Sequence, residues 1–249
     1  MKTLLMLSSL MIISLFTGCF DSKINSVVFV LFDASISTND RAVREHYFED
    51  FQKLLNNLHG QTQLVGDVIT GNTMATATFP LDATITGFDQ LTENLLTYKE
   101  RQNAANKDII NTVKKIIDTA YSQSTDLLNS FQLAGKVFEE DRFKSAPNKI
   151  LVVFSDMIED SENYRFEKDN LNNQRINAII KKEKDEGGLP ELTGVKVYVV
   201  GATANSSSFS QVKPGQIYAI ERFWMKYFAD CGANITDSRY ATRLLNFEY

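Results

Sequence analysis

Val27–Thr38 reads VVFVLFDASIST. It opens with an apolar run of β-branched and aromatic residues, then ends in a carboxylate and two hydroxyls on alternate positions, Asp33-x-Ser35-x-Ser37. A strand that is apolar on both faces fits a parallel sheet covered by helices on each side, since a half-solvated strand would alternate with polar residues. The polar end then leaves the carboxyl end of that strand. Two readings are open there: a capped turn into the next helix, or one wall of a metal site.

Outward from this stretch, strand and helix patterns alternate. STNDRAVREHYFEDFQKLLNNLHG, 37–60, repeats Val43, Tyr47, Phe51, Leu54 and Leu55 at helical spacing, with Ser37 to Asp40 as capping candidates and Gly60 as its stop. QLVGDVIT (63–70) and MATATFPLD (74–82) read as shorter strands, the second ending near Pro80. From Phe88 the helical period returns through Leu91, Leu95, Tyr98, Ile109, Val113, Ile117, Leu127, Phe131 and Phe138, predicting three helices broken near Asn103 and Gln123. KILVVFSD (149–156) is a second doubly apolar strand, LNNQRINAIIKKEKDEG (171–187) a helix closed by Gly187, and GVKVYVVGA (194–202) a third strand. The last helix, in 217–233, puts Ile220, Phe223, Trp224, Tyr227 and Phe228 on one face, which is expected in the core rather than as a ligand platform. This alternation predicts an α/β fold: a doubly wound, mostly parallel central sheet flanked by helices, with right-handed crossovers.

The formal net charge of −5 lacks the basic stripe that nucleic acid requires, so no nucleic-acid partner is expected. The first residues carry Lys2, an apolar stretch from Leu4 to Phe16 and small residues before Cys19, the layout of a secretory signal. Phe16-Thr17-Gly18-Cys19 resembles a bacterial lipobox. That resemblance implies a signal peptide over 1–18, a lipidated Cys19 with a short linker over 19–26, and a membrane anchor of more than one acyl chain. It also implies the cell envelope as location, and Phe20 after the cysteine points to an outer membrane, with the domain facing the periplasm. Cys231 is then a lone thiol, so no internal disulfide staples the domain, and it is expected as a small buried apolar group.

In an open α/β sheet, loops leaving the carboxyl ends of strands meet at the switch point. Three such places carry hard oxygen donors: Asp33, Ser35 and Ser37; Ser124 and Thr125 at a helix start; and Ser155-Asp156 after the second apolar strand. Carboxylates and hydroxyls suit Mg²⁺ or Mn²⁺. The chain's two histidines, His46 and His59, do not make a zinc site, because His46 falls within the first helix.

The set resembles the von Willebrand factor type A (vWA) family, whose metal-ion-dependent adhesion site reads D-x-S-x-S, a distant Thr, and an Asp after a later central strand. The resemblance runs over about residues 25–232. It implies a site of Asp33, Ser35, Ser37, Thr125 and Asp156, with Asp33 acting mainly through water, and Ser124 as a substitute for Thr125. It also implies a protein partner that offers an acidic residue to the ion. The departures are Ala34, Ile36 and Met157, at positions where the family commonly carries glycine. On this reading 27–249 is one domain with a helical insertion around 88–121.

Three functions follow: a lipid-anchored binding module gripping a partner through a divalent ion; the same scaffold without a metal; or a haloacid-dehalogenase-type phosphohydrolase. The last needs a second carboxylate two residues after the first, where this chain has Ser35, so no enzyme activity is expected. Glu159 and Asp160 read as a solvated turn, and EDSENYRFEKDN (159–170) as a flexible loop or part of a partner surface.

Overall fold

The computed structural model describes residues 24–202 and 212–248; Cys19 and the segment before it lie outside the described residues. The strand read from Val27 is the centre of the molecule. β1 (Ser26–Asp33) lies between β2 (Thr62–Ile69) and β4 (Asn148–Phe154), parallel to both. β5 (Lys196–Val200) and β6 (Tyr240–Ala241) continue the parallel sheet beyond β4, and β3 (Leu81–Ile85) closes the far edge antiparallel to β2. The strand order is β3-β2-β1-β4-β5-β6.

Every side chain of β1 is buried because each face of the sheet has its own core. Val27, Phe29 and Leu31 join one core with α4 (Leu127–Glu139), α5 (Asn173–Asp185) and α6 (Pro214–Asp230). Val28, Val30 and Phe32 join the other with α1 (Arg41–Asn57) and α3 (Leu95–Thr119). Each large apolar side chain so buried contributes about 1.5–3 kcal/mol, which is why a polar residue on either face of β1 would break the fold. The expected mostly parallel, helix-flanked sheet is thus the one observed.

The chain winds outward from β1 to β2 and β3, returns to β4 on the opposite side of β1, and winds outward again to β5 and β6. The direction reverses between β1 and β4, and a crevice opens at the carboxyl ends of such a pair. The chain enters at Ile24 and Asn25, at the other end of β1, about 25 Å from Asp33 for a strand of eight residues.

Several elements depart from expectation. MATATFPLD is not one strand: Thr73–Thr76 forms a short helical turn, α2, and β3 begins only after Pro80. Proline supplies no ladder N–H, and the buried Asp67 carboxylate engages the N–H groups of Thr78 and Phe79 at 3.1 and 3.4 Å. The three predicted helices are two. Asn103 lies inside the 25-residue α3, where it costs only tenths of a kcal/mol relative to alanine and breaks nothing. Phe88, Leu91 and Leu95 are exposed rather than core, Leu91 at 96%. Ile220, Phe223, Trp224, Tyr227 and Phe228 are buried as expected, and so is Cys231.

Candidate functional site

Asp33 is the last residue of β1 and only 7% exposed. Its Oδ1 accepts the Ser35 N–H at 2.8 Å, and its Oδ2 accepts the Ser155 hydroxyl at 2.6 Å. The alternate spacing then brings the Ser35 and Ser37 hydroxyls together at 2.9 Å. Thr38 ties the turn down, its hydroxyl lying 2.9 Å from the Asp33 carbonyl and 3.0 Å from that of Ser35. The branched side chain of Ile36 does not block the loop, because it points outward at 53% exposure, and Ala34 is buried. Asp40, rather than Ser37, caps α1 through the Ala42 N–H.

The segment before α4 is pinned on two sides. The Ser122 N–H donates to the Ala34 carbonyl at 2.8 Å, and Thr125 and Asp160 exchange backbone bonds of 3.0 and 2.9 Å. Thr125 is buried, but it does not open the helix: Asp126 is the N-cap, its carboxylate accepting the Asn129 N–H. Ser124 packs against Gly71, where an added methyl group would collide with its hydroxyl.

Asp156 follows β4 and is 5% exposed. Its Oδ1 accepts the Ile158 N–H at 3.0 Å, while Oδ2 is buried without a hydrogen-bond partner. Met157 adopts φ 64°, the left-handed region that favours glycine. Its carbonyl accepts Trp224 Nε1–H at 2.8 Å and its N–H donates to Ser155 Oγ at 2.9 Å, so the strained turn is held from both sides. The three loops therefore close a ring: Ala34 to Ser122, Thr125 to Asp160, and Ser155 back to Asp33. Asp33, Ser35 and Ser37 lie together, with Asp156 close enough to Asp33 and Ser37 to feel both, while Thr125 sits on the adjoining loop through its backbone bonds to Asp160.

The electrostatics of the crevice are unfavourable as it stands. Burial raises the Asp33 carboxyl, against the bonds from Ser155 and Ser35. Burial and then the Asp33 charge push Asp156 up to about 7, with the Ser37 hydroxyl close enough to oppose the rise without meeting bond geometry. No Lys, Arg or His pairs with either carboxylate among the described residues. Two buried like charges without a counter-charge need a proton or a cation between them. An orphaned carboxylate oxygen beside hydroxyl donors fits a small hard divalent ion. His46 is exposed on α1, and among the described residues no three His, Cys, Asp or Glu gather, so the donor set is two carboxylates plus hydroxyls.

Glu159 is the residue that sequence reasoning missed. It is not in a solvated turn but 0% exposed, its Oε2 accepting the N–H groups of Leu127 and Leu128 at 2.8 and 3.3 Å at the start of α4. Burial pushes its carboxyl up to about 8. The segment after it is anchored at two points, Tyr164 and Phe166, which are buried in the α6-side core while most of the other residues through 170 stay exposed. Tyr164 and Phe166, spaced by two in an otherwise polar stretch, were the available sign that this loop is anchored. Asp160 does stay exposed.

No protein-family model and no curated protein matches the chain. Among solved structures, it is similar to the manganese-loaded TRAP protein of Plasmodium vivax, with 11% identity, TM-score 0.43, and coverage of 88% of this chain and 68% of that one. The PilB minor pilin of Streptococcus sanguinis shares 12% identity at TM-score 0.43, over 85% and 62% of the two chains. A von Willebrand factor type A protein of Catenulispora acidiphila shares 10% identity at TM-score 0.36, over 84% of this chain and 43% of that one. The chain thus spans less than two thirds of the length of the last two.

Proposed function

We propose that this protein is a binding module that grips a protein partner through a divalent cation, Mg²⁺ or Mn²⁺, held by Asp33, Ser35, Ser37, Thr125 and Asp156. The observation that carries the reading is the buried, unpartnered Asp156 Oδ2 next to the buried Asp33 carboxylate, with two hydroxyls 2.9 Å apart beside them. A bound ion would supply the positive charge these groups lack, and a position left open to solvent would accept a carboxylate from the partner. Exposed Ile36 and Tyr121 flank the crevice and offer apolar contact around such an anchor.

The function is binding rather than turnover. Ser35 stands where a phosphohydrolase of this architecture would need its acid, and Ser155, next to the crevice, is locked between the Asp33 carboxylate and the Met157 N–H. We further propose that a lipidated Cys19 tethers the domain in the cell envelope, at an outer membrane and facing the periplasm. A tether that joined the domain at the end of β1 remote from Asp33 would leave the Asp33 end facing away from the membrane.

Calorimetric titration of the chelator-treated protein with Mg²⁺ and with Mn²⁺ tests the site. We expect one saturable site in the wild type and none in Asp33→Ala; identical isotherms for both proteins would exclude the site. Affinity capture from membranes with and without chelator then tests the partner, which should be retained only when the ion is present.

A further inference from the structure

A second polar cavity lies behind the Thr125–Asp160 pairing, between the start of α4, the 159–164 segment and the end of α5. It is a solvent-open cleft of about 440 Å³, lined by Asp126, Glu159, Glu162, Glu183 and Glu186 and by no Lys or Arg. Acidic lining alone would mean little. Here, however, the floor is made of buried carboxylates: Glu159 is 0% exposed, Asp126 6% and Glu183 9%. None of the three is ion-paired among the described residues.

Their present partners are neutral donors. Asp126 takes the Asn129 N–H at 3.1 Å and its amide nitrogen at 2.6 Å. Glu183 Oε1 takes the Tyr164 hydroxyl at 2.6 Å. Glu159 is incomplete: Oε2 is satisfied by α4, but Oε1 is buried with no hydrogen-bond partner, the Ser161 hydroxyl lying near without bonding geometry. A buried acceptor left unmade costs about 1–3 kcal/mol, so a cationic N–H donor brought to Oε1 would recover that cost and hold the carboxyl, which burial pushes up to about 8, in its ionised form.

We infer that this cleft binds an organic cation, a guanidinium or primary ammonium group, with Glu159 Oε1 as its floor acceptor. Exposed Glu162 at the rim adds negative field at the mouth, and Glu186 beside it is partly offset by Lys182. The protein shows the chemistry on a small scale: the Lys182 ammonium sits 5.5 Å from the centre of the Tyr164 ring and 3.9 Å from Glu186. A metal ion fits less well, because the Asp126 oxygens and Glu159 Oε2 already accept N–H donors, and no three acidic side chains converge. The inference stands whether or not the Asp33–Asp156 crevice holds an ion.

The test is titration of chelator-treated protein with agmatine, with neutral butylurea as control, followed by calorimetry and amide NMR. We expect saturable agmatine binding with shifts at Asn129, Gln132 and Gly188, no butylurea binding, and an affinity about tenfold weaker in Glu159→Gln. The rim variant Glu162→Gln/Glu186→Gln leaves the α4 contacts intact and should also weaken binding and flatten its salt dependence; if Glu159→Gln loses helix signal, this variant decides. Equal agmatine affinity in the wild type and the folded variants, or displacement of agmatine from these residues by Ca²⁺, would overturn the inference. Tighter binding of N-acetyl-arginine amide than of spermidine would assign the cation to a protein side chain, and the reverse to a free polyamine; both outcomes support the shared chemistry.

Discussion

Replacing Asp156 by asparagine keeps the shape of the side chain and removes one of two buried like charges. The wild-type carboxyl is raised from 3.8 to about 7, burial being the larger cause and the Asp33 charge the next. A raised acid stabilises the fold fully below its unfolded value, and that stability is lost as pH rises toward the folded one. Above pH 7 both states are ionised, and a carboxyl held at about 7 in the fold then costs about 4 kcal/mol relative to acid conditions. Asparagine does not titrate. In chelator, Asp156→Asn should therefore be more stable than the wild type at pH 8, by about 2–4 kcal/mol, and the gap should shrink by about 2.6 kcal/mol, to about 0–1.5, at pH 5. For a domain of this size that is on the order of 5–10 °C in Tm at pH 8. Saturating Mg²⁺ should act in the opposite sense: at a hundred times Kd it adds about 2.7 kcal/mol to the wild type and nothing to the variant. Differential scanning fluorimetry at the two pH values, with chelator and with Mg²⁺ or Mn²⁺, reads all four states. An asparagine variant less stable than the wild type in chelator at pH 8, or one that gains as much from the ion, would refute the claim that this crevice is a cation site held open against its own charge.

Other consequences follow from the same structure. Gly201→Ala should cost about 2–4 kcal/mol by urea denaturation, because at φ 102° its Cβ would stand 2.6 Å from the Tyr47 ring and 3.0 Å from the Ser155 carbonyl. Arg243→Ala should cost about 2–3 kcal/mol, somewhat less than a fully buried pair, since it strips the fully buried Asp50 of bonds at 2.7 and 3.1 Å from a side chain that is 28% exposed. Burial raises Asp50, and Arg243, Lys53 and the Leu244 N–H outweigh it, leaving the carboxyl below its usual range. The wild type should thus lose this stabilisation as pH falls through the lowered value, and the acid limb of the stability curve should flatten in Arg243→Ala. Leu91→Gln, at 96% exposure, should change stability by no more than about 0.5 kcal/mol.

The parts of this molecule that could be read from residue order are those where one segment carries its own constraint. β1 and β4 were legible because a strand buried on both faces must be apolar throughout, and Val27–Phe32 and Ile150–Phe154 are. Asp33, Ser35 and Ser37 were legible because period two in an extended turn is local. What was illegible depends on chain that is distant in number. Phe88, Leu91 and Leu95 have helical spacing like any core stripe, yet the loop is held by Arg101, which reaches Thr86, the Gly87 carbonyl and Glu93, and its apolar side chains are left outside. Glu159 sits in a run of acids that looks solvated. It is buried because Thr125 pairs with Asp160 and draws the neighbouring carboxylate onto the N–H groups of α4. The same pairing fixes the Thr125 backbone, one of the proposed ligand positions, and sets Glu159 at the floor of the second cleft, so one two-bond bridge bears on both proposed sites. A proline at position 160, which removes the Asp160 N–H donated to Thr125 at 2.9 Å, should therefore weaken Mg²⁺ and agmatine binding together, whereas Asp33→Ala should affect the ion alone.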